Sequence, residues 1–216
     1  MNDVTEPKPS VAQIVALKQQ RAVDEHSLRS LFLEARTANG FLDAPVPREL
    51  LERIVEIAEI GPTSANSLPA RYVFVQSPAA KERLKPCVGP SNQAKTMAAP
   101  ATAIFAADLK FYENFPRTFP TRPEMRERTA ANPLEQVREF ARDNALLQMG
   151  YFILAARALG LDCGPMAGFD RAKTDAEFFP DGRFISIFLI NIGYGDDTKY
   201  FPRLPRLETA EIATFL

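Results

Sequence analysis

The stretch from Pro133 to Leu159 constrains this chain most. Val137, Phe140, Ala141, Ala145, Gln148, Met149, Phe152, Ala155 and Leu159 recur at i, i+3/i+4 spacing, the signature of one long α-helix. From Ala145 onward the sequence is apolar almost all round, so that half has to be buried on more than one face. Gly160 stops it. The second constraint is FISIFLINI at Phe184–Ile192, a continuously apolar run of the kind found in mid-sheet strands.

Other elements fall around these two. Residues 1–9 read as disordered, and Ser10 is placed to cap a short amphipathic helix carrying Val11, Ile14, Val15 and Leu17. A helix is expected to begin at Ser27, with Leu28, Leu31, Phe32 and Ala35 at helical spacing, and to stop at Asn39-Gly40. Pro47 suits the first turn of the next helix, whose stripe is Leu50, Leu51, Ile54, Val55 and Ala58. Arg71–Val75 and Ala99–Ala107 read as strands. Residues 109–133, crowded with prolines, arginines and aromatics, read as an excursion over the surface. Thr174–Glu177 fits a capping box for a short helix ending near Pro180. The tail from Tyr200 to Arg206 is an arm followed by a short helix-like end. The order of helices and strands is α+β.

Composition narrows the chemistry. The chain has 216 residues, one histidine, two cysteines and a formal net charge of -1. His26 alone cannot populate a multi-histidine metal site. Cys87 and Cys163 form no C-x-x-C, so zinc-finger, iron–sulfur and thioredoxin-like readings fail. The two cysteines read as buried free thiols suited to a reducing compartment. Near-neutral charge argues against a dedicated nucleic-acid binder. No uncharged stretch approaches the roughly 20 apolar residues of a membrane span, and the polar start lacks a signal-peptide h-region, so a cytoplasmic location is expected. P-loop, nucleophile-elbow and dinucleotide fingerprints are absent; Gly193-Tyr194-Gly195 is a fragment that opens no helix.

Four local patterns carry possible chemistry, although each alone reads first as an ordinary turn, helix end or surface residue. Arg36, Thr37 and Asn39 place a guanidinium, a hydroxyl and an amide close together, suited to a phosphate or polyol. Gly61-Pro62-Thr63-Ser64-Ala65-Asn66 is a polar loop stiffened by proline. Asn92 and Lys95 precede a strand. Cys163-Gly164-Pro165-Met166-Ala167-Gly168-Phe169-Asp170 would let the backbone approach a flat ligand.

In this order and spacing, ART-x-NG at 36–40, GPTSAN at 61–66, LDCGPMAGFD at 161–170, and INIGYGD with RLPRL at 203–207 resemble the FMN-dependent nitroreductase family. The nearest resemblance is to its malonic semialdehyde reductase (RutE-like) branch. It runs from about Ser27 to Leu216, leaving 1–26 as an N-terminal extension and 27–216 as one FMN-binding domain. It implies an α+β fold with a mainly antiparallel central sheet flanked by helices, in an intertwined homodimer with FMN at the interface.

By the same resemblance, Arg36, Thr37 and Asn39 contact the flavin from the N-terminal side. The family's basic residues at positions 35 and 39 are missing here, which shifts phosphate charge to Arg203 and Arg206. Pro62, Thr63, Ser64 and Asn66 reach the flavin of the other subunit. Asn92 and Lys95 meet the pyrimidine edge, and Pro165, Met166, Ala167 and Gly168 form the strip over the ring, with a backbone N–H at flavin N5. The implied activity is ping-pong hydride transfer from NAD(P)H through flavin N5 to malonic semialdehyde (3-oxopropanoate), giving 3-hydroxypropanoate, a step of pyrimidine degradation. Thr63 and Ser64 are candidates to polarise the carbonyl, and Arg71, Arg117, Arg122 and Arg126 to clamp the substrate carboxylate, with 109–133 as a lid. A broad nitroaromatic or quinone reductase, and a flavin-binding protein without turnover, are the alternatives.

Overall fold

The computed structural model describes residues 10–216, so the reading of 1–9 lies outside the described residues. Two compact units divide after Ala35. In the first, α1 (Val11–Gln19) starts where the sequence places it: Ser10 and Gln13 form a reciprocal capping box. Its apolar side chains are all exposed. The helix expected from Ser27 to Asn39 is shorter and starts earlier. It consists of α2 (Glu25–Leu28) and a wide π-helical turn over Arg29–Leu33. Asp24 is the better cap, because its carboxylate accepts from the Ser27 N–H at 2.7 Å and puts Ser27 inside the helix. The expected division at 26/27 falls within α2.

In the second unit, Arg36–Leu216, α3 (Arg48–Ala58) is entered through Pro47 and buries Leu51, Ile54 and Ala58. Strand β1 (Ala70–Val75) follows, then α4 (Pro78–Leu84) and α5 (Pro90–Ala98), both with proline in the first turn. Next come β2 (Ala101–Asp108), α6 (Phe115–Thr118), α7 (Met125–Ala130) and the long α8 (Leu134–Ala158). After these are β3 (Asp162–Met166), α9 (Arg171–Phe178), β4 (Phe184–Gly193) and α10 (Thr209–Ile212).

The strands form one antiparallel sheet in the order β1-β2-β4-β3. FISIFLINI is internal, as its continuous apolarity requires, and β2 is buried along its whole length. A bulge leaves Ile187 unopposed between the Phe105–Phe188 and Ala106–Ser186 pairs. On one face α3 and α8 pack Leu51, Ile54, Ala141, Ala145 and Phe152 against Phe105, Ile190 and Ile192. On the other, Leu84, Cys87 and Phe179 pack against Val75, Ile104 and Leu189.

Three expectations need correcting. Residues 163–166, read as a turn, belong to β3. It is an edge strand paired only with β4, so Pro165 costs the sheet no internal hydrogen bond. The 109–133 segment is not only superficial: Phe111 and Phe115 are completely buried, stacked edge to face at 5.9 Å. Thr174 does not cap a helix. Asp170 does, and Thr174 is buried one turn inside with its hydroxyl donating to the Asp170 carbonyl. Among the described residues no helix is long and apolar enough to cross a membrane.

Candidate functional site

The segment after Ala35 is extended because it docks on β3. The Ala38 N–H donates to the Cys163 carbonyl at 3.0 Å. This approach requires Gly164, since a Cβ there would sit 2.5 Å from the Ala38 oxygen. Cys163 itself is inert: burial pushes its thiol up to about 12.

Helix α5 meets the same place from the other side. Asn92 and Lys95 are three residues apart, hence on one face. The Asn92 amide donates to the Gly168 carbonyl at 3.1 Å, which also accepts from the Gly89 N–H at 3.1 Å. A Cβ at Gly168 would lie 2.6 Å from Asn92 Nδ2 and displace that amide. Lys95 Nζ donates to Asn39 Oδ1 at 3.3 Å. Underneath, four fully or nearly fully buried side chains fix these elements together. The Thr102 hydroxyl donates to Asn191 Oδ1 at 2.8 Å, the Asn191 amide to Thr96 Oγ1 at 3.4 Å, and the Thr96 hydroxyl reaches Met166 Sδ at 3.5 Å. Sequence patterns separated by more than a hundred residues therefore converge on one platform. A groove of about 460 Å³ opens beside it, lined by Asn39, Phe41, Ala94, Lys95, Ala98, Lys199 and Phe201.

The arm contributes charge. Arg203 is pulled below the ordinary guanidinium value, first by desolvation and then by the guanidiniums of Arg36, Arg206 and Arg157. Arg36, Arg157 and Arg206 are therefore near enough to Arg203 for their charge to be felt there, a grouping suited to an anion. Arg157 is absent from the residues singled out above. Its signal was available: it is the only charge between Asn144 and Leu159, in a stretch that otherwise reads as core.

The loop after α3 is anchored elsewhere. Gly61 lies against the Tyr151 ring. Ala65, Asn66 and Leu68 have φ of 53°, 49° and 44°, left-handed backbone without a glycine. Hydrogen bonds hold this conformation: Ser64 N–H to Asn144 Oδ1 at 2.7 Å, Leu68 N–H to Thr63 Oγ1 at 3.2 Å, and the Asn66 amide to the Thr118 carbonyl at 2.7 Å. The loop that carries Pro62 and Thr63 is thus tied to α8 through Ser64 and to the 109–133 segment through Asn66.

Of the four arginines proposed to clamp a carboxylate, Arg71 is engaged with the buried carboxylate of Asp108 at 2.7 Å, which Arg183 also grips at 2.9 and 3.0 Å. Arg117, Arg122 and Arg126 are exposed on the 109–133 segment. Arg117 donates to Asn114, Arg122 pairs with Glu124 at 2.6 Å, and Arg126 lies 4.0 Å from Glu127.

A family model described as "Nitroreductase family" matches residues 33–194. A Burkholderia lata protein assigned as NADH dehydrogenase/NAD(P)H nitroreductase is 50% identical over 191 residues, 88% of this chain and 97% of that protein. Among solved structures, a nitroreductase of Bacillus subtilis superposes with a TM-score of 0.80 at 24% identity, covering 89% of this chain and 100% of that one. A nitroreductase of Exiguobacterium sibiricum, solved in complex with FMN, superposes with a TM-score of 0.79 at 20% identity, covering 90% and 98%.

Proposed function

The chain belongs to the nitroreductase family, and from that premise we propose that it is an FMN-dependent NAD(P)H oxidoreductase. The observation that carries this reading is the convergence of Asn39, Asn92, Lys95 and Gly168 on one platform, together with Arg36, Arg157 and Arg206 near Arg203. This donor set fits FMN: guanidiniums for a phosphate, a lysine for an electron-rich ring edge, and a glycine where backbone has to come close. The name of the Burkholderia relative and the FMN complex of the Exiguobacterium structure support it.

Bound FMN supplies the two-electron hydride chemistry that no side chain here can perform. With FMN bound, Lys95 would favour negative charge on the ring, while a backbone N–H of Ala167 or Gly168 would orient it without titrating. Arg203 and Arg206, with Arg36 and Arg157, hold the phosphate, and Thr37 and Asn39 add polar contacts from the N-terminal side. Pro165 and Met166 lie under this strip as part of β3. The loop from Pro62 to Asn66 serves the flavin of a second copy of the chain, in a homodimer. Two exposed apolar residues one turn apart on α8, Leu147 at 54% and Tyr151 at 42%, support that assembly.

For the acceptor, we infer malonic semialdehyde. Bound FMN would supply the hydride for its carbonyl carbon and solvent the proton for the oxygen, giving 3-hydroxypropanoate. Thr63 or Ser64 donates to the developing alkoxide, and Arg117, Arg122 or Arg126 meets the carboxylate. Arg71 is assigned instead to holding Asp108. A nitroaromatic or quinone acceptor is the second reading, favoured by the relatives' name. The purified protein is expected to be yellow and to bleach anaerobically with NADPH or NADH. A protein that cannot be loaded with FMN overturns the proposal. Turnover of nitroaromatics with none of the semialdehyde selects the second reading.

A further inference from the structure

Helix α5 carries Asn92 and Lys95, and its end is held by a residue outside the platform. Pro100 has no N–H, so the helix cannot run on. Its last regular bond is the one from the Ala99 N–H to the Lys95 carbonyl, at 3.1 Å. The carbonyls of Met97 and Ala99 are left over, as at any helix end. Lys81 of α4 takes both: its ammonium donates to Met97 at 2.9 Å and also to Ala99.

Two features set Lys81 apart from a surface lysine. The first is its electrostatic setting. Among the described residues no carboxylate pairs with it, and burial alone moves its ammonium, downward from the ordinary lysine value. The partial negative charge at the end of α5 offsets that desolvation. The second is what it holds. Ala99 is completely buried and forms a small apolar cluster with Ala38 and Phe41. Those two residues flank Asn39, whose Oδ1 accepts from Lys95 Nζ. Fixing Ala99 therefore fixes both partners of that contact, Lys95 through the last turn of α5 and Asn39 through the cluster. At the other end of α5, the Gln93 amide donates to the carbonyls of Lys85 and Val88 at 3.2 and 3.1 Å. Lys95 stands between these two grips.

We propose that Lys81 is a positioning residue for the flavin chemistry: it fixes the last turn of α5 so that the Lys95 ammonium stands at Asn39. The proposal rests on the reading that Lys95 meets a bound flavin. Lys81 acts through Lys95, its own ammonium being turned to the two carbonyls. Displacement of a reacting group by about an ångström costs on the order of a hundredfold in rate, so a loosened helix end is felt at the ring.

The test is a double-mutant cycle on the full-length protein saturated with FMN. Lys81→Met is expected to slow flavin reduction by NAD(P)H about tenfold at saturating donor, a part of the full cost of misplacement. The double variant K81M/K95M is expected to be no slower than K95M alone. Effects that multiply, to about a thousandfold, mean that the two lysines act independently and overturn the proposal. So does an unchanged rate in a K81M protein whose urea midpoint has fallen, which makes Lys81 a helix cap and nothing more. Lys81→Arg keeps charge and donors and is expected to be reduced faster than K81M; equal slowness also overturns the proposal. Should K81M fail to fold, Lys81→Gln, which keeps a shorter donor, takes its place. A second readout needs no flavin. In the unloaded protein, K81M is expected to move the Asn39 side-chain amide NMR signals toward their place in K95M, and unmoved signals overturn the proposal. Failure to load FMN overturns the proposed function instead, and the Asn39 signals still decide whether Lys81 positions Lys95.

Discussion

Lys95 is the residue on which the proposed chemistry turns. It stands on one face of α5 with Asn92, and its Nζ reaches Asn39 from a different part of the chain. Lys95→Met keeps the aliphatic stem and removes the charge. The variant is expected to retain FMN through the arginine cluster but to be reduced by NAD(P)H about a hundredfold more slowly, the scale of losing one preorganised electrostatic partner. Stopped-flow bleaching measures this; an unchanged rate would show that the charge is dispensable. Residues of this kind were legible because a lysine or an amide in a short polar pattern stands out. Arg157 was not, since an arginine ending an apolar helix reads as a solvated terminus until Arg203 is folded near it. Arg71 failed in the opposite direction: its partner Asp108 lies across the β1–β2 pair, and nothing local indicates that the two meet.

At the scale of elements, hydrophobic period located α3, α8, β1, β2 and β4 close to their true ends. It missed β3, because a Gly-Pro pair is a turn signal unless the strand is known to be an edge. It also missed how the Pro62–Asn66 loop is held. Three left-handed residues without glycine are uphill by roughly 1–2 kcal/mol each, and the compensating bonds come from Asn144 and Thr118, far away in sequence. Asn144→Ala leaves the Ser64 N–H without its partner. The expected loss is about 1–3 kcal/mol of stability, read in urea unfolding, with faster proteolytic cleavage between residues 61 and 69. Unchanged cleavage would mean that Thr118 alone secures the loop.

At the scale of the molecule, the α+β class was legible in the order of elements and the antiparallel sheet only through the family resemblance, and the placement of cavities was not. A cavity forms where elements fail to cover one another, as where β3 ends short of the first residues of β4 and a space of about 430 Å³ is left between α8, α9 and that strand. That shortfall also has a bearing on colloidal behaviour. FISIFLINI is uncharged, β-branched and lacks proline, which are the properties of a segment able to nucleate cross-β stacking. Along its uncovered part, the groups that would recruit another chain are occupied by Asp175 and Arg171. Helix α9 therefore acts as a guard against self-templating. Asp175→Ala should speed aggregation on mild heating, seen as light scattering and thioflavin binding at temperatures where far-UV circular dichroism is still native. If scattering rises only after the whole fold melts, the edge is guarded by the global structure and not by this helix. By that route a short surface helix would determine how concentrated and how warm a solution of the folded protein can be before it precipitates.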